Sequence, residues 1–83
     1  MEETSVTNEI MSLLIKDMGI KDRSIKKDMD LFKAGILDSL NIVRLTLLIE
    51  DNYHVKITLE EVKSGSFQNI KRIAQLICKK LSA

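Results

Sequence analysis

Apolar positions recur three and four residues apart in three separate stretches of the chain, the spacing of a helix face buried on one side. In the first, Val6, Ile10, Leu13, Leu14 and Met18 predict a helix over residues 6–18. Glu2 and Glu3 precede it favourably for the helix dipole, and Gly19 is its natural stop. The second stretch covers residues 39–51. The third follows Ser66, a candidate cap, and places Phe67, Ile70, Ile73, Ala74, Ile77 and Leu81 on one side. Between the last two, Thr58-Leu-Glu-Glu61 reads as a capping box opening a short helix that stops before Gly65.

The connections are less regular. Residues 20–37 show no clean period, and charges alternate there with Ile20, Ile25, Met29, Leu31, Phe32, Ile36 and Leu37. A connection that long should be pinned by those side chains, with room for a short turn of helix. Tyr53, Val55 and Ile57 alternate as in a strand, but an isolated strand has no sheet to join, so an extended loop is expected. The pattern predicts an all-α four-helix bundle: three longer helices, one short, and a long loop between helices 1 and 2. Residues 1–83 are expected to form a single domain, small enough that most apolar residues must serve the core.

The second helix is apolar on two sides, where a surface helix normally shows one stripe. Ile42, Leu45 and Ile49, extended by Val43 and Leu48, form one stripe; Leu40 and Leu47, with the polar Arg44 and Asp51, form another. Such a helix is either central and buried or presents its second face to partners.

Composition narrows the function. The chain is 45% hydrophobic and 30% charged with a net charge of +1, which reads as globular and not disordered. Its signs are interspersed, and Phe32, Tyr53 and Phe67 are its only aromatics, so no basic-aromatic surface points to nucleic acid. No apolar run approaches a membrane span, the beginning is acidic and polar, and the lone Cys78 excludes an internal disulfide framework. A cytoplasmic protein is expected, and the starting methionine and lack of linkers favour a stand-alone one.

The candidate chemistry centres on the stretch 32–40, Phe-Lys-Ala-Gly-Ile-Leu-Asp-Ser-Leu. Gly35 breaks the chain, and Asp38 or Ser39 offers an oxygen as N-cap. Ser39 reads either as that cap or as a modifiable hydroxyl, whose anionic ester would face free N–H groups and the positive end of the helix. It lacks the Gly-x-Ser-x-Gly setting of a nucleophile, and the only histidine, His54, lies about a helix length away. A base for any reaction of Ser39 must come from another protein. His54 reads as a solvated loop residue, Cys78 as a partly buried structural thiol, and Met11, Met18 and Met29 as core filler. Asp28, Asp30 and Asp38 lack the other ligands of a calcium loop, so no metal site is expected. The Lys26-Lys27, Lys71-Arg72 and Lys79-Lys80 pairs read as solvated faces.

With Leu31-Phe32 and Gly35 upstream of Asp38-Ser39-Leu40, and with this size and helix order, the chain resembles the acyl and peptidyl carrier protein family over nearly its whole length. The resemblance implies an acyl-carrier-type bundle, not itself an enzyme. Its Ser39 would receive 4′-phosphopantetheine from coenzyme A through a phosphopantetheinyl transferase, with Asp38 and Leu40 flanking the attachment. The arm's thiol would carry acyl or aminoacyl groups as thioesters. An acyl- or aminoacyl-activating (adenylating) enzyme would load it, and an acyltransferase or condensing enzyme would unload it. Leu40, Asn41, Arg44, Leu47 and Asp51 are the expected docking face, and a monomer is the default. Asn41 and Arg44 stand where fatty-acid carriers are usually acidic, and Leu-Asp-Ser replaces the Gly-Gly-Asp/His-Ser of typical peptidyl carriers. In type the chain is similar to D-alanyl carriers and to stand-alone carriers of specialised pathways. Its rivals are a housekeeping fatty-acid carrier, an unmodified helical adaptor with Ser39 purely a cap and, more remotely, an autonomous hydrolase.

Overall fold

The computed structural model describes residues 2–20 and 25–82. Within them lie four α-helices and no strand: α1 (Glu3–Ser12), α2 (Asn41–Tyr53), α3 (Leu59–Lys63) and α4 (Ile70–Leu81). The part of the long loop at residues 21–24 lies outside the described residues.

Helix α1 starts three residues before the apolar pattern does, with Glu3 in its first turn. It runs on into a π-helical turn, Leu13–Asp17, where Met18 N–H reaches back to the Leu13 carbonyl at 3.0 Å. Gly19, at φ +70°, then turns the chain out, as its position predicted. Val6, Ile10 and Leu14 are fully buried, and α1 packs chiefly against α4, whose Ile70, Ile73, Ala74 and Ile77 are likewise buried. Ile42, Leu45, Ile49 and Tyr53 of α2 complete the core with Phe67.

Several local expectations change. Helix α4 begins at Ile70 rather than Ser66, because Asn69 takes the cap: its Oδ1 accepts from Arg72 N–H at 2.8 Å. Ser66 instead shares a hydrogen bond with Ser64 in the preceding turn. Leu81, the last residue of α4, is exposed. Val43 turns outward, away from the stripe of Ile42, Leu45 and Ile49. Helix α2 continues to Tyr53 and ends on His54 in the left-handed region, φ 56°. Lys80 is not simply solvated but pairs with Glu61 at 2.8 Å. The Thr58–Glu61 capping box forms as expected, with both of its reciprocal bonds present.

The long loop is pinned by more than side chains. Ile25, Leu31, Ile36 and Leu37 are buried, while Phe32 points outward. Two backbone bonds fasten the loop to the start of α4: Lys71 N–H to the Lys27 carbonyl at 2.9 Å, and Leu31 N–H to the Gln68 carbonyl at 2.8 Å. The first satisfies one of the N–H groups that a helix start leaves open. Together they fix where the loop delivers the chain to α2.

Candidate functional site

The site is built by one tight turn and one helix cap. Asp30 opens the turn, its Oδ1 accepting from Phe32 and Lys33 N–H at 3.0 Å each. The Lys33 N–H is the main reason that its carboxyl lies below the ordinary carboxylate range. Gly35, at φ +76°, closes the turn: its N–H bonds the Phe32 carbonyl, and Ile36 N–H bonds the Leu31 carbonyl. This is the Schellman pattern, which needs a residue tolerant of positive φ. Leu31, Ile36 and Leu37 are buried beneath it, so the chain leaves the core at a defined point and enters the exposed run Asp38, Ser39 and Leu40.

The cap of α2 is Asp38. Its Oδ1 accepts from both Leu40 and Asn41 N–H at 2.8 Å, and its own carbonyl takes Ile42 N–H, the first bond of the helix. Asn41 answers from inside: its Oδ1 accepts from Asp38 N–H at 2.8 Å, and its Nδ2 donates to the Ile36 carbonyl at 2.7 Å. This reciprocal pair matches the capping-box logic three residues apart, with Asp and Asn in place of Thr and Glu. The helical hydrogen bonding therefore starts earlier than the regular span of α2.

Two expectations for Ser39 are corrected here. It is not the cap, since Asp38 holds that role and the Ser39 hydroxyl has no hydrogen-bond partner among the described residues. Nor would an anion on it meet a ring of free N–H groups, because the Leu40, Asn41 and Ile42 N–H groups are already taken. What remains is an exposed hydroxyl on a rigidly held turn, with its group projecting into solvent.

Among the described residues, nothing nearby turns that hydroxyl into a nucleophile unaided. His54 sits at the opposite end of α2, about 20 Å away at 1.5 Å rise per residue. Cys78 lies half-buried on α4, and no cluster of three His, Cys, Asp or Glu side chains suited to a metal occurs among the described residues. Tyr53 is committed elsewhere, donating its hydroxyl to Glu9.

The expected docking residues divide in two. Leu40 (86% exposed) and Leu47 (59%) face solvent, and so does Asp51 further along α2. Asn41 is engaged in the cap, and Arg44 donates through Nη2 to the Asp17 carbonyl at 2.7 Å. Sequence reasoning missed Val43 (56% exposed) and Leu59 (67%), which border a shallow cleft of about 180 Å³ between α2 and α3. A signal for Val43 existed: with Leu40 and Leu47 it falls at i, i+3 and i+7, a stripe of its own. A signal for Asn41 existed as well, in the spacing Asp38-x-x-Asn41.

The model of the family described as a phosphopantetheine attachment site matches residues 8–77. Among curated proteins, the chain is similar to the D-alanyl carrier proteins of Streptococcus pyogenes serotype M5 (strain Manfredo) and serotype M1. Each is 34% identical over 56 residues, which is 68% of this chain and 71% of the relative.

Proposed function

Because the chain belongs to the phosphopantetheine attachment-site family, the non-catalytic carriers of a covalent 4′-phosphopantetheine, we propose that Ser39 is the residue that carries the arm. One observation supports this most. Ser39 lies between two residues that fix the backbone, while its own hydroxyl is exposed and has no hydrogen-bond partner among the described residues. The group, when bound, supplies a terminal thiol on which cargo is held as a thioester. In the attachment, the Ser39 Oγ bonds to phosphorus as the bond to the nucleotide half of coenzyme A breaks. Among the described residues no base stands ready for the hydroxyl proton, so in this reading the transferase takes it. Asp38 holds the turn, and Leu40 stands exposed beside Ser39.

The cargo we assign is a small aminoacyl group, of which a D-alanyl group is the model. The relatives' name supports this, as does a charge pattern unsuited to strongly basic partners: net charge +1, with Asn41 and Arg44 on α2. Docking runs through Leu40, Val43, Leu47 and Leu59, which leave an apolar surface beside the arm. In this reading residues 1–83 act as one monomeric carrier unit in the cytoplasm. A phosphopantetheinyl transferase modifies it, an adenylating enzyme loads it, and an acyltransferase or condensing enzyme unloads it. Tethering raises the cargo's effective concentration at each docked enzyme.

The test is an intact mass after incubation with coenzyme A and a broad-specificity phosphopantetheinyl transferase, beside Ser39→Ala. One added phosphopantetheine on the wild type alone supports the assignment. No addition alongside a working control carrier, or addition to Ser39→Ala, overturns it.

A further inference from the structure

We propose that Asn41 is a positioning residue for the modification of Ser39, acting through the backbone on either side of that serine; this rests on the reading of Ser39 as the attachment residue. The Asn41 amide uses both of its ends. Oδ1 accepts from Asp38 N–H at 2.8 Å, one residue before Ser39, and Nδ2 donates to the Ile36 carbonyl at 2.7 Å. Asp38 in turn holds Leu40 N–H, one residue after Ser39, and Asn41 N–H. Ser39 and Leu40 are thus the residues of the 38–41 turn whose side chains are not part of the fastening, and of the two only Ser39 carries a hydroxyl. Its orientation is inherited from a clamp closed by Asn41.

The chemistry of the clamp selects an amide. A carboxylate at position 41 would accept from Asp38 N–H but carry no proton for the Ile36 carbonyl, and it would face the Asp38 carboxylate three residues away, a repulsive spacing on a helix. A methyl group would do neither job. Asn41 is half-buried while Leu40 and Leu47 are exposed, so its amide contributes to holding the turn and leaves the apolar docking stripe to its neighbours. Loosening the clamp should leave partner affinity alone and disorder the hydroxyl at the moment of attack. Misplacing a reacting group by an ångström is enough to slow a reaction by one to two orders of magnitude.

The experiment compares wild type, Asn41→Ala and Asn41→Asp. It measures phosphopantetheine transfer over a range of carrier concentrations and, separately on the unmodified proteins, amide hydrogen exchange at Asp38. The expected result for Asn41→Ala is a kcat lowered on the order of tenfold, with KM within about twofold and faster exchange at Asp38. Asn41→Asp, which keeps the acceptor, should fall between it and wild type. An unchanged kcat, or a loss confined to KM, would overturn the proposal, the latter making Asn41 a docking residue. Loss of the fold in both variants would also overturn it, by making Asn41 a general stability residue. Failure of the wild type to accept the arm would sink the Ser39 assignment instead. The exchange measurement would still report whether Asn41 closes the turn.

Discussion

The guanidinium of Arg44 on α2 donates to the backbone carbonyl of Asp17 at 2.7 Å, joining the second helix to the π-helical end of the first. The last carbonyls of a helix lack partners within it, and a cation there also meets the negative end of the dipole. Arg44, though exposed, thus has a structural bond at the surface, whereas Val43 and Leu47 beside it on the helix are free for partners.

Replacing Arg44 with Gln should therefore lower stability by about 0.5–1.5 kcal/mol, the net worth of one intramolecular hydrogen bond. Denaturant unfolding would show a lower midpoint at unchanged slope. A partner-binding assay should show little change; a large loss of docking with stability intact would place Arg44 in the interface.

Leu45 and Leu47 are two residues apart on α2 and should behave in opposite ways. Leu45 is fully buried, so Leu45→Ala should cost about 2–5 kcal/mol in thermal or chemical unfolding. Leu47 is largely exposed, so Leu47→Asp should keep the helicity and melting behaviour of the wild type while weakening binding to the loading enzyme. A large loss of helicity in Leu47→Asp would contradict the outward placement of that side chain.

The cap of α3 ties stability to acid pH. Glu61 is held below the ordinary carboxylate value near 4.5, chiefly by Lys80 and then by Thr58 N–H. A carboxyl depressed in the folded state contributes stability above its unfolded pKa and loses it as pH falls through the folded one. Glu61→Gln should flatten the acid limb of a stability–pH curve below about pH 4.5 and leave the alkaline limb unchanged. Thr58→Ala should cost about 1 kcal/mol at neutral pH, read by denaturant unfolding.

Tyr53 gives the opposite pH signature. Burial first, and then its hydrogen bond to Glu9, raise its phenol above the ordinary value near 10. A group that holds its proton more tightly when folded supports the fold below its unfolded pKa and weakens it as pH rises beyond that value. The chain has one tyrosine and no tryptophan, so phenolate absorbance reads Tyr53 alone. Ionisation should lag that of free tyrosine and coincide with alkaline unfolding. A transition near pH 10 in a folded protein would mean that the hydroxyl is solvated.

Amino-acid order alone determined the features that depend on neighbours within a turn or two. The apolar spacing of α1 and α4, the stop at Gly19, the Thr58–Glu61 box and the serine at the mouth of α2 are all written at separations of three or four residues, the range over which helix geometry makes side chains meet. Tertiary structure alone decided matters that depend on segments far apart in the chain. Lys71 meeting Lys27, Leu31 meeting Gln68 and Arg44 meeting Asp17 are pairings to backbone groups, which carry no residue-specific signature in a sequence. The same holds for the two faces of α2. Periodicity shows that both are apolar, but only the packing of one of them into the shared core decides that Leu45 is buried and that Val43 and Leu47 face water. Asn41 falls between the two cases: its bond to Asp38 follows from spacing, whereas its bond to Ile36 requires the loop to arrive where the buried Leu31, Ile36 and Leu37 hold it.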